Sequence, residues 1–301
     1  MERYCLICNP TAKSGAAQKS IDDAVAALTL AGADFVVRRT EYMGHATALA
    51  AEAIAEGFDC IVAVGGDGTI RETALSVVHT DKVLGIIPCG TGNDYVRPLG
   101  IPLAVSDAVD TLLHGTDLTV DAGQANEQIF FNVAGFGFDV DVLDYTEQYK
   151  PICKGNGSLA YILGVLKAVF GLMLRPSTIA FEDGTVEQNV LLAVAGNGQY
   201  FGGGMRVTPE ADMTDGLLDL CIAHDVTRRK LLQLLSKFIK GEHTALPYIT
   251  YRKARRVSIV CDPVSRIEVD GERMQGTPVV FQVLPKAMRV RVPNSVLKGE
   301  P

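Results

Sequence analysis

The stretch Cys60-Ile61-Val62-Ala63-Val64-Gly65-Gly66-Asp67-Gly68-Thr69-Ile70 carries both the fold class and the first chemical clue. Cys60–Val64 are apolar without alternation, the pattern of a parallel strand covered by helices on both faces. Three glycines then surround one acid before a helical pattern resumes over Ile70–Val78. Glycine lets the main chain approach a ligand closely and take positive φ. The helix behind the loop points its free N–H groups and its positive dipole end at the same place, which favours an anion. Asp67 in such a loop can hold Mg²⁺ or orient a hydroxyl. A plain strand-to-helix turn with a capping acid does not need Gly65, Gly66 and Gly68 together, so the loop reads as a binding site.

Outward from this centre the pattern repeats. Tyr4–Cys8, Phe35–Val37 and Leu84–Ile87 read as further strands. Ile21–Ala31, Ala46–Ala55 and Val105–His114 read as helices. The alternation implies βαβ units and a parallel sheet. Two more strands end in loops of similar chemistry. Asn9-Pro10-Thr11-Ala12-Lys13-Ser14-Gly15 offers N–H groups, a cation and hydroxyls, a composition that ordinary turns share. Cys89-Gly90-Thr91-Gly92-Asn93-Asp94 offers a hydroxyl, an amide and a carboxylate. All three loops fall at the carboxyl ends of parallel strands, where open α/β sheets bind ligands. No Gly-Lys-Ser/Thr follows the glycines and no G-x-G-x-x-G occurs, so neither common nucleotide loop is present.

From about Asp121 short strand-like pieces separated by turns take over: Ile129–Val133, Val190–Ala195, Leu217–Ile222, Val257–Val260, Arg266–Val269, Val279–Val283 and Met288–Val292. Leu159–Leu174 and Thr227–Lys240 are helical interruptions. The expected organisation is an α/β domain over 1–122 followed by a β-rich domain over 123–301, whose final residues could pack back on the first domain.

Composition narrows the function. The net charge of −7 argues against nucleic-acid binding. Residues 1–123 hold 8 Lys/Arg against 16 Asp/Glu, and the remainder 20 against 19, so an anionic surface would be met by the second half. The seven cysteines are scattered; Cys5 and Cys8, three apart in a strand, point to opposite faces and read as buried thiols. The first residues run directly into an apolar strand, and the longest apolar run, Leu159–Leu174, contains Lys167 and is short for a bilayer span. A cytoplasmic protein is the expectation.

GGDGT at 65–69 with GTGND at 90–94 resembles the catalytic domain of diacylglycerol kinases and the soluble bacterial lipid kinases, which are similar in fold to NAD kinases. The resemblance extends through Asn9-Pro10, Thr40, Gly44-His45-Ala46, Asn132, Gly135–Asp139, Gly196–Gly198, Tyr200–Met205, Asp215–Asp219 and Asp270-Gly271-Glu272, in order along the chain. It implies an ATP- and Mg²⁺-dependent lipid kinase, with an N-terminal α/β nucleotide-binding domain over 1–122, a C-terminal β-sandwich over 123–301 and catalysis between them. Nucleotide contacts would come from Asn9, Pro10, Thr11, Ala12, Lys13, Thr40, Gly65, Gly66, Asp67, Gly68, Thr69, Glu72, Thr91, Gly92 and Asn93. Asp67 would handle the catalytic Mg²⁺ with Asp94 nearby, and Glu272 would be the general base. A second, structural Mg²⁺ would sit on Asp215 and main-chain oxygens near Met213 and Leu217. Without the resemblance, Asp270-Gly271 reads as a hairpin turn.

Arg71 departs from the pattern, which carries Asn there; it reads either as a helix-surface change or as an altered phosphate contact or nucleotide preference. Diacylglycerol is the expected substrate, with transient membrane contact and a homodimer as possible associations. Thr227–Lys240 is basic and amphipathic, which fits a membrane surface or a helix packed on the sandwich with its lysines in water. Arg252-Lys253-Arg255-Arg256 is a second basic patch. NAD kinase and a non-catalytic lipid-binding regulator are the alternatives.

Overall fold

The computed structural model describes residues 2–12, 17–153 and 157–296. The chain opens with β1 (Arg3–Cys8), α1 (Ala17–Leu30), β2 (Asp34–Arg39), α2 (His45–Ala55), β3 (Cys60–Gly65), α3 (Asp67–Val77), β4 (Val83–Pro88) and α4 (Val105–His114). β1 pairs in parallel with β2 and β3, and β3 with β4. Every residue of β3 is buried, as its uninterrupted apolar run requires. One face packs under α2 and α3 through Ala50, Ala53, Ile70 and Ala74; the other packs under α1 and α4 through Ile21, Leu28, Ala108 and Leu112. β2 is the edge and is exposed at Val36 and Val37, with Arg38 and Arg39 beside them. Charge of that kind discourages edge-to-edge pairing.

The chain continues as β5 (Thr116–Ala125), β6 (Gln128–Phe130), β7 (Val133–Gly137), α5 (Phe138–Tyr149), α6 (Gly157–Phe170), β8 (Arg175–Phe181), β9 (Gly184–Gly196), β10 (Tyr200–Phe201) and β11 (Met205–Arg206). It ends with β12 (Leu218–His224), α7 (Arg228–Lys240), β13 (Ile249–Ala254), β14 (Arg256–Cys261), β15 (Ile267–Val269), β16 (Glu272–Met274) and β17 (Val279–Val292). This half is an antiparallel sandwich around Phe130, Phe136, Val190, Ile259 and Phe281. Long β9 serves both layers: its first half pairs with β8 and its second lies between β7 and β12.

Val279–Val283 and Met288–Val292 are not separate strands. They form one strand, β17, bulged between Leu284 and Met288, which pairs with β5 over most of its length. Its start pairs with β14 in the sandwich, whereas Arg289 and Val290 pair in parallel with Val83 and Leu84 of β4. The β5–β17 ladder thus joins the two halves and fixes how the loops after β3 and β4 face the sandwich.

Candidate active site

The three glycine-rich loops come together, and side-chain and backbone contacts set their spacing. Asn9 donates from its backbone to the Val64 carbonyl (3.0 Å) and from Nδ2 to Thr69 Oγ1 (3.0 Å). Its Oδ1 accepts from the N–H and hydroxyl of Thr11, so one asparagine ties the first loop to the second. Pro10 and Ala12 complete this turn; Lys13 lies outside the described residues. Thr40 ends β2 with its N–H on the Cys8 carbonyl. Gly66 and Gly90 pass so closely that a Cβ on Gly90 would lie 2.5 Å from the Gly66 Cα. Glycine at both places is what allows neighbouring strand ends to form one cradle.

Within the cradle Asp67 Oδ1 accepts the N–H groups of Asp94 (2.8 Å) and Tyr95 (3.2 Å). Asn93 closes the third loop on Gly90 with a pair of hydrogen bonds, while Thr91 is exposed on its tip. Glu72 is a brace. Its two oxygens accept the N–H groups of Gly44 (2.9 Å) and Ala46 (3.1 Å), anchoring the start of α2. His45 is the first residue of α2 and stacks on Tyr42.

The opposite wall belongs to the sandwich. Gly202, Gly203 and Gly204 all have positive φ in the β10–β11 hairpin, and the Gly203 N–H reaches Asp94 Oδ2 at 2.7 Å. Asp270 and Gly271 form the predicted hairpin turn between β15 and β16, with φ of 48° and 89°. The Asp270 carboxylate folds inward and accepts the N–H groups of Phe131 (2.7 Å), Asn132 (3.0 Å) and Val133 (3.0 Å). Burial nevertheless pushes its pKa up to about 6. The cavity between the walls is about 280 Å³, and Asp67, Arg71, Asp94, Asn132, Glu268 and Asp270 supply its polar lining. Glu272 is exposed on β16, one residue beyond the lining residue Gly271.

Two carboxylates at this cleft suit a nucleotide-bound Mg²⁺. Asp67 spends Oδ1 on backbone donors, and Asp94 Oδ1 is buried without a hydrogen bond, 3.7 Å from Arg97 Nε. Burial chiefly, with Asp67 adding to it, raises the Asp94 pKa, a cost that a cation would relieve. A Cβ on Gly92 would sit 3.0 Å from Asp67 Oδ2 and 3.6 Å from Asp94 Oδ2, inside the space both oxygens face. Mg²⁺ commonly takes one or two carboxylates and completes its shell with phosphates and water.

Two family models match the chain: the diacylglycerol kinase catalytic domain over residues 3–125, and the YegS C-terminal NAD kinase beta sandwich-like domain over residues 132–292. The chain is 33% identical over 296 residues to a diacylglycerol kinase of Mycobacterium tuberculosis (strain CDC 1551 / Oshkosh), covering 96% of this chain and 94% of that one. The chain belongs to the diacylglycerol kinase family. A Bacillus subtilis (strain 168) diacylglycerol kinase is 32% identical over 300 residues, covering 98% and 97%. A crystal structure of a diacylglycerol kinase from Bacillus anthracis str. Sterne has the same fold, with a TM-score of 0.78, 24% identity and 98% of each chain covered. This protein is therefore a lipid kinase.

Beside the cleft the kinase holds a second, apolar cavity of about 160 Å³. Phe138, Val142, Tyr161, Val165, Leu235 and Phe238 contribute to its walls, and Phe201, Gly202 and Glu268 line both cavities. Glu268 is hydrogen-bonded to Asp139 at this junction. Burial first, and then the neighbouring Asp139, raises the Glu268 pKa; burial likewise raises that of Asp139. Two adjacent buried carboxyls resist double ionisation. Asp139 and Asp270 lay inside motifs quoted from the sequence, but nothing local marked them or Glu268 as cleft groups.

At the Asp215 turn an ammonium stands where the second Mg²⁺ is expected. Lys253 Nζ already occupies Asp215 Oδ2 at 2.6 Å and approaches Asp219 Oδ2 at 3.4 Å. Asp215 Oδ1 accepts the Leu217 N–H, and the Met213 carbonyl accepts the Asp121 N–H at 2.7 Å. Register supplies this cation, since Asp219 stands opposite Lys253 in the β12–β13 pair. Among the described residues no three His, Cys, Asp or Glu side chains gather as a metal site. Cys5 and Cys8 are buried free thiols whose pKa values burial pushes up to about 11 and about 12.

Proposed function

We propose that this kinase transfers the terminal phosphoryl group of ATP to the hydroxyl of diacylglycerol at a membrane surface, giving phosphatidic acid. The observation that carries the reading is the shared wall between a cleft lined by Asp67, Asp94 and Arg71 and an apolar cavity. A hydroxyl in the cleft can then belong to a molecule whose chain lies among Phe138, Val165 and Phe238.

Phosphoryl transfer needs positioning, charge neutralisation and a base. The N–H groups at the start of α3 and the loops around Asn9 and Thr91 would receive the triphosphate. Asp67 and Asp94 would hold Mg²⁺, which when bound neutralises phosphate charge. Glu272 would take the hydroxyl proton. Asp67 and Asp94 would face the cation, while Asp270 is engaged by backbone N–H groups and Glu268 by Asp139, which leaves Glu272 as the acceptor for that proton beside the cleft.

The membrane-facing surface is best placed on α6 and the adjoining end of α7. No described helix is long and apolar enough to cross a bilayer. Ile162, Leu166 and Phe170 recur every four residues on α6 and are 55%, 47% and 71% exposed. Tyr161 and Val165 of the same helix line the apolar cavity, so this helix could contact acyl chains on both sides. α7 buries Leu231, Leu234 and Phe238 against the sandwich, so it is a packed helix first, with Arg229 exposed at its start. In the other basic patch Arg252 pairs with Asp183 and Lys253 with Asp215, which makes it a weaker candidate for anionic lipid.

The test is transfer of label from ATP with Mg²⁺ into a panel of diacylglycerol, a sphingoid base and NAD, the lipids presented in mixed micelles. Label in diacylglycerol is expected. Label in the sphingoid base alone would change the substrate, and label in NAD alone would replace the lipid reading by the NAD kinase one. Ile162→Glu with Phe170→Glu should weaken binding to anionic vesicles; unchanged binding would remove α6 as the docking face.

A further inference from the structure

Arg71 lies on α3 four residues after Asp67, so the two side chains share a helix face. It lines the cleft and is the only cation among the described residues that do so, beside Asp67, Asp94, Glu268 and Asp270. Its Nε is buried and has no hydrogen-bond partner. The carboxylates around it each have partners of their own. Asp94 is paired with Arg97 and with the Gly203 N–H, and Asp270 accepts three backbone N–H groups. Arg71 and Asp270 line the same cleft, Arg71 from the nucleotide-loop wall and Asp270 from the sandwich wall.

A buried donor left unpaired costs about 1–3 kcal/mol, and more when charged. Such a group calls for an explanation such as a missing ligand. The ligand here must be an anion, must enter the cleft, and must lie between the two walls. An asparagine at this position, the residue in the related pattern, could donate one hydrogen bond but no charge. Arginine presents planar, paired donors that match two phosphate oxygens.

We infer that Arg71 binds the phosphoryl group during its passage from nucleotide to acceptor. The inference rests on the kinase reading above. In that step the lipid hydroxyl oxygen bonds to the terminal phosphorus while the bond to the bridging oxygen breaks. The nucleoside diphosphate leaves with the electron pair, and the hydroxyl proton goes to Glu272. Arg71 forms no covalent bond; it holds non-bridging oxygens whose charge persists through the transfer. The departure in this chain is thus an added electrostatic group at the reacting phosphate, not a helix-surface change.

The experiment compares wild type with Arg71→Ala, Arg71→Asn and Arg71→Lys in two assays. In steady-state transfer from ATP to diacylglycerol, Arg71→Ala should lower kcat by about 10²–10³-fold, as loss of a transition-state donor does. Lysine should retain more activity than asparagine, and added guanidinium should restore part of the alanine variant's turnover. The thermal midpoint of Arg71→Ala should not fall, because no bond of the fold is lost. In calorimetry with Mg²⁺ and no lipid, the affinity preference for ATP over ADP should drop about tenfold in Arg71→Ala, the weight of one charge-assisted contact. A kcat within about threefold of wild type, or an unchanged preference for ATP over ADP, would overturn the inference. Should the wild type label no lipid, the lipid assignment fails while calorimetry still decides the role of Arg71.

Discussion

The two walls of the cleft are made differently. On the first-domain wall, chemical groups sit within a few residues of the strand ends that hold them: Asn9 after β1, Asp67 after β3, Asp94 after β4. On the sandwich wall, Asp139 comes from α5, Glu268 from β15 and Asp270 from the turn beyond, which reaches its donor Phe131 across 139 residues of chain. The first wall would offer N–H groups and the carboxylates of Asp67 and Asp94 to a phosphate and its cation. The second holds carboxyls that burial pushes toward the protonated state, next to an apolar cavity. Local backbone geometry creates the glycine-loop wall; distant strand pairing creates the wall beside the apolar cavity.

The sharpest way to probe this contrast is Glu272→Gln, set against Glu268→Gln. The first should lower kcat by about 10²–10⁴-fold, the usual worth of a general base, with ATP affinity nearly unchanged. The second should act mainly on the KM for lipid. Rapid turnover by Glu272→Gln with its loss in Glu268→Gln would exchange their roles.

The first wall can be broken through its packing. Gly90→Ala places a Cβ 2.5 Å from the Gly66 Cα, backbone against backbone. It should cost about 1–3 kcal/mol of unfolding free energy, typical of overpacking, and should weaken ATP binding. Gly271→Ala meets no atom within 4 Å but has a φ of 89°, so it should cost about 1–2 kcal/mol through backbone strain alone. Denaturant titration of both variants checks the order.

The second wall should reveal itself in pH dependence. Asp270 is raised from 3.8 to about 6 in the fold, so between those values the folded chain keeps a proton that the unfolded chain has lost. Its contribution is fully present below 3.8 and is lost as pH rises through about 6, by about 3 kcal/mol at most. Comparing unfolding free energies at pH 4.5 and 6.5, Asp270→Asn should lack this downward contribution whatever its absolute stability. Equal pH slopes in wild type and variant would contradict it.

The same contrast explains what the sequence disclosed. Asp67 and Asp94 were legible because glycine spacing and strand ends are local features. α5 was not, since Phe138–Tyr149 follows a glycine-rich strand and carries acids through its first turns. β17 looked like two strands because Pro285-Lys286 interrupts it, and only pairing with β5 restores one ladder across the bulge. Glu268 and Asp139 meet through the β7–β15 pairing and the position of α5 after β7, which no spacing rule predicts. Lys253 on Asp215 likewise follows from register. Arg71 was visible as a departure, but its place in the cleft depended on the fold.

The central claim is that phosphate travels from the first wall to a lipid held by the second. Its most direct test is transfer of label from γ-labelled ATP into diacylglycerol by wild type and Asp67→Ala in parallel. Labelled phosphatidic acid from the wild type, with turnover at least about 10³-fold lower in Asp67→Ala, is the expected result. Equal labelling by the two proteins, or no lipid product from either, would contradict the account.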